Sequence, residues 1–204
     1  MPPAERPIPC YIAEPPQEAL PYGRWGEALA ARFKAAFGEI SSDEDLGQLG
    51  EDIRWFPDRS WEGRTYIPAS ATTTTGFEVF GYVSFTREHE GAEATHFYAV
   101  ADFTDETAEA NPDWSLDLSD EELGHWRGVE GRRGEITLVW GVSLVPHGAV
   151  ATTELGPTTT DQCVLVEDRF TLLSLDNYTG DYIEVKLWGE RGAELAAESL
   201  YEDD

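Results

Sequence analysis

From Arg64 to Trp188 the chain alternates apolar and polar residues at a period of two, segment after segment, with turn-forming residues between. Pleated strands require that period, because successive side chains point to opposite faces of a sheet. Arg64 to Thr73 and Phe77 to Thr86 flank Thr75-Gly76 and read as a hairpin. Further strands are expected over Thr95 to Phe103, Glu135 to Val145, Ala149 to Leu155, Gln162 to Val166, Phe170 to Leu175 and Tyr182 to Trp188, with a closing strand over Ala193 to Tyr201. Strands do not alternate with helices, so a doubly wound parallel sheet is not expected.

Three segments carry helix signals instead. Trp25, Leu29, Phe33, Ala36, Phe37 and Ile40 recur at the 3-4 spacing of an amphipathic helix over residues 23 to 37, with Gly38 as the stop. Ser41 with Glu44, followed by Leu46, Leu49 and Gly50, and Ser119 with Glu122, followed by Leu123, Trp126 and Gly128, each match a capping box. Two short helices are expected there. The fold class is therefore α+β: an antiparallel sheet or sandwich of about seven to nine strands, one N-terminal amphipathic helix and two short helices. Residues 1 to 22 hold seven prolines and read as an extended arm, leaving 23 to 204 as a single globular domain.

Charge narrows the classes of partner. Forty Asp and Glu against fourteen Lys and Arg give a formal net charge of -26. Such a field repels phosphate backbones and anionic membranes, so direct nucleic-acid binding and membrane binding are not expected. Twelve of the fourteen basic residues are arginine, which fits a GC-rich genome and salt adaptation equally. No run approaches the roughly 18 apolar residues of a membrane span, and the opening MPPAERPIPC has no apolar stretch after its charges. Cys10 and Cys163 lie far apart, which is no disulfide framework, so a reducing cytoplasm is the expected setting.

No phosphate-cradling glycine motif, GxSxG elbow, HExxH or CxxC occurs in the chain. No cofactor is expected, and catalysis loses its usual supports. Three surfaces remain. Arg54, Trp55, Arg59, Trp61 and Arg64 gather arginine and tryptophan, the residue types that dominate binding hot spots, and suggest a surface for another protein. The same residues also suit a sheet end capped by tryptophan, its arginines paired with Glu51, Asp52, Asp58 and Glu62. Phe80 and Tyr82 on one strand, with His96, Tyr98 and Asp102 on the next, would form an aromatic ligand pocket with a His and a carboxylate if their faces coincide. Asp102, Asp105, Glu106 and Glu109 sit at spacings that suit a hard cation or an exposed acidic loop. The acidic stretch from Asp102 to Glu122 also suits mimicry of a nucleic-acid backbone. A non-catalytic protein-binding role ranks first, the acidic mimic and the ligand-binding face after it.

Overall fold

A computed structural model describes residues 25–89, 92–127, 133–176 and 182–200. The expected arm, residues 1 to 22, lies wholly outside these residues, as does Cys10. The described chain holds one helix, α1 (Gly26–Phe37), and twelve strands: β1 (Arg54–Trp55), β2 (Arg59–Trp61), β3 (Arg64–Thr72), β4 (Glu78–Thr86), β5 (Thr95–Thr104), β6 (Leu116–Arg127), β7 (Arg133–Ser143), β8 (Gly148–Leu155), β9 (Thr158–Val164), β10 (Arg169–Asp176), β11 (Ile183–Gly189) and β12 (Glu194–Ser199). They form three sheets, and every registered strand pair is antiparallel. Internal contacts divide the chain into two compact units, with the boundary between Ser119 and Asp120 inside β6.

In the first unit β1, β3, β4 and β5 lie in that order, and β2 pairs with β3 beyond β1. β1 and β2 are one edge strand interrupted at Phe56-Pro57-Asp58. The cause is Pro68, in the middle of β3, which has no N–H to donate to a continuous ladder. Its carbonyl still accepts the Phe56 N–H at 3.0 Å. Trp61 pairs with Arg64 across Glu62-Gly63, both at positive φ (49° and 77°), the conformation that a tight type I′ hairpin demands.

α1 buries Leu29, Phe33 and Ala36 against one face of this sheet, where Trp55, Ile67, Ala69, Ala71, Val79, Val83 and Phe85 wait. The spacing of 29, 33 and 36 puts the three side chains on one helical stripe. Trp25 packs at a tilt of 58° on Phe85 with ring centres 5.2 Å apart, and Phe33 meets Trp55 edge-on at 6.1 Å.

The second unit contains a sheet ordered β10-β7-β6 and another ordered β12-β11-β8-β9. Ile136, Leu138 and Trp140 on one face of β7 and Thr137 and Val139 on the other are all buried, so this central strand is covered on both sides. The buried Asp161 of β9 accepts the Leu173 N–H of β10 at 2.8 Å, and Thr160 lies 3.1 Å from Ser174, so polar side chains tie the two sheets where no ladder does.

Both short helices expected from capping boxes are absent. Over 41–50 the Ser42 hydroxyl accepts the Glu44 N–H, two residues on rather than three, and the segment pairs with the β3–β4 turn: Gly50 N–H to Thr72 O, Thr74 N–H to Gln48 O. Ser119 to Glu122 lies inside β6. In both places backbone groups find partners on distant segments of chain, while a short isolated helix leaves its end groups unmet. β6 and the short β1 and β2 also explain why the described strands outnumber the seven to nine expected.

Candidate functional site

The face of the first sheet that turns away from α1 is read directly from the registers. Arg54, Ser70, Phe80 and Asp102 stand in one row across β1, β3, β4 and β5; Pro68, Tyr82 and Val100 in the next; Tyr66, Ser84 and Tyr98 in a third. The two surfaces suggested by the sequence therefore share one face. Tyr66, Tyr82 and Tyr98 form a ladder, with ring centres 5.5 and 6.4 Å apart. Its environment changes along its length: Tyr66 and Tyr82 are buried at 6% exposure each, while Tyr98 is 56% exposed. Burial pushes the Tyr66 hydroxyl pKa up, against the lowering influence of Arg64.

Arg64 anchors the far end of this face. One of its guanidinium nitrogens donates to Ser84 Oγ and to the His96 carbonyl, each at 3.0 Å. The second bond is possible because β5 bulges there: pairing slips between Ser84–Tyr98 and Thr86–Thr95, and His96 sits at φ 52°. The His96 ring is turned onto the hydroxyls of Thr86 and Thr95, 3.1 and 3.2 Å from Nδ1.

These positions correct parts of the sequence reading. Trp55 belongs to the core under α1, and Arg59 is buried at 6% exposure, so neither lies open to a partner. Arg54 is exposed, and Trp61 and Arg64 are half-buried. Phe80, Tyr82, Tyr98 and Asp102 do share a face, but His96 and Asp102 do not form a pair: six residues of strand separate them by roughly 20 Å. Asp105, Glu106 and Glu109 are exposed beyond the end of β5. Asp102 accepts its neighbour's amide, Phe103 N–H, at 2.8 Å. Among the described residues, the set of metal-ligating side chains that does converge is Glu122, His125 and Glu135, not these four acids.

At the other end of the same face lies a group that sequence reasoning missed. Glu78 of β4 and Asp117 of β6 are half-buried near Arg54. Burial holds both carboxyls above the usual range; for Glu78 the repulsion of Asp117 adds to it, while a hydrogen bond from Ser70 and the charge of Arg54 oppose it. Only the folded chain brings the two acids close enough to repel each other, since 39 positions of sequence separate them. A carboxyl with a raised folded-state pKa contributes stability below its unfolded pKa and loses that contribution as pH rises through the folded value. Glu78→Gln keeps a polar partner for Ser70 and removes the buried charge. The variant is expected to melt above the native protein at pH 7, with the difference closing as pH falls to about 4, near the ordinary carboxyl range. Thermal melts across that interval decide it, and a lower melting temperature at pH 7 would refute the account.

No helix among the described residues is long and apolar enough to cross a membrane. Compared with known proteins, the chain matches no family model, no curated protein and no solved structure.

Proposed function

We propose that the chain is a non-catalytic binding protein that engages another protein through the exposed margin, around Tyr98, of the tyrosine-bearing face of its first sheet. The observation that carries this reading is Tyr98: a large aromatic, 56% exposed, packed on one side against the buried Tyr82 and set beside the anchored guanidinium of Arg64. Aromatics held in place by their neighbours lose little freedom on binding, and Tyr, Trp and Arg supply most of the energy at protein interfaces. Exposed Arg54, half-buried Phe80 and Trp61, and exposed Asp102 extend the face with both signs of charge.

The geometry disfavours a catalytic use of the same face. His96 is committed to two threonine hydroxyls and stands a strand's length from Asp102, so no acid–base pair forms there.

The test is affinity purification with the native chain and a Tyr98→Ser, Trp61→Ser variant, partners being identified by mass spectrometry. Loss of each hot-spot side chain is expected to cost about 2 kcal/mol of binding, roughly thirtyfold in affinity. The variant should lose the partner while its circular dichroism is unchanged. Equal recovery by both chains would overturn the proposal. Trp55 is unsuitable for this test, because removing a buried core tryptophan costs about 3–5 kcal/mol of folding stability.

A further inference from the structure

In the second unit, β6 and β7 are neighbouring strands, and across them Glu122, His125 and Glu135 bring one ligand atom each to within 4.8 Å of one another. In a regular strand, residues three apart point to opposite faces. Glu122 and His125 nevertheless meet, with Gly124 between them at φ 157°. His125 Nδ1 lies 3.4 Å from Glu122 Oε1. That is long for a charge-assisted hydrogen bond, which closes to about 2.7–2.9 Å. This one separation equals the edge of a tetrahedron whose centre is about 2.1 Å from each ligand atom, the distance at which imidazole and carboxylate hold zinc. Rotation of the glutamate side chains would close the set's spread of up to 4.8 Å onto an ion.

We propose that Glu122, His125 and Glu135 form a binding site for a divalent first-row transition-metal ion. One imidazole and two carboxylates suit zinc and its neighbours better than calcium or magnesium, which favour sites built of oxygen alone. The ligands come from two strands, so the ion would clamp β6 to β7. Three protein ligands leave a coordination position for water or for a group on a bound molecule. His125 is 71% and Glu122 48% exposed, and Glu135 is half-buried behind them, so an ion reaches the site from the solvent side.

Any chain of charge -26 attracts cations loosely, so the experiment must separate a site from an atmosphere. Zinc is titrated calorimetrically into the full chain in 150 mM salt with millimolar magnesium, which occupies the diffuse acidic surface without replacing a nitrogen-containing site. The expected result is one zinc per chain, with affinity at least tenfold weaker in His125→Ala and in the Glu122→Gln, Glu135→Gln variant. Cobalt should shift the ring resonances of one of the four histidines, and that resonance should be missing from His125→Ala. Several weak equivalents, unchanged by the substitutions or abolished by magnesium, would overturn the proposal, as would a cobalt response spread over all the histidines. His125 is exposed, so its removal leaves the fold intact.

Discussion

A chain carrying Gly81→Ala is expected to lose about 3–5 kcal/mol of stability, the sum of backbone strain and overpacking at one point. Gly81 lies at the centre of β4, opposite Ala69 on one side and Ala101 on the other. A Cβ there would run into the carbonyl oxygen of Val100, with Ala101 Cα and Val100 C each only 2.9 Å away. Every one of those atoms is backbone, so no rotamer change relieves the clash. The strands must part or the ladder must shift. Its φ of 156° adds to the difficulty, since side-chain-bearing residues rarely adopt it. The effect should reach the binding face too, because Phe80 and Tyr82, the immediate neighbours, turn toward that face. Thermal unfolding and partner recovery should fall together. A Gly81→Ala chain that melts with the native protein would show that the strands do not approach so closely.

What the sequence revealed of this arrangement followed the length of each signal. The helix was legible because Leu29, Phe33 and Ala36 repeat over about two turns, and α1 buries those residues. The β3–β4 hairpin and the closing β11–β12 hairpin were legible because long alternating runs flank short turns. β1 and β2, two and three residues long, are too short to show any period, and so Trp55 and Arg59 read as surface when both are buried. The capping boxes at Ser41 and Ser119 were sound local signals that lost to non-local pairing, which no window of a few residues contains. The bulge at His96 is likewise invisible to a pattern of two, and the histidine there turns onto Thr86. His125 gave no usable spacing, because residues three apart on a regular strand point to opposite faces, yet it meets Glu122 in the folded chain. The faces were thus readable residue by residue, whereas the sites depend on departures from regularity.

Asp161 shows how much a single polar group can carry in such a fold, and its replacement is the second large effect expected. The residue is 2% exposed on β9, yet its carboxylate accepts two backbone N–H groups at 2.8 Å, from Gln162 beside it and from Leu173 on β10. The Leu173 bond crosses between two sheets, so the side chain does the work of a missing ladder. Hydrogen bonds to a charged acceptor contribute about 1.5–3 kcal/mol each, and a buried donor left unmet costs about 1–3. Asp161→Asn keeps the shape but offers one acceptor oxygen and sets an N–H₂ against an N–H. It is expected to destabilise the second unit by about 3 kcal/mol. Thr160→Val, which removes the adjoining hydroxyl bonds to Thr153 and Ser174, should cost only about 1 kcal/mol, since those groups are neutral. Amide hydrogen exchange at Leu173 discriminates between the two. Exchange should accelerate strongly in Asp161→Asn and change little in Thr160→Val, and equal protection in both would mean that the carboxylate does not hold the sheets together.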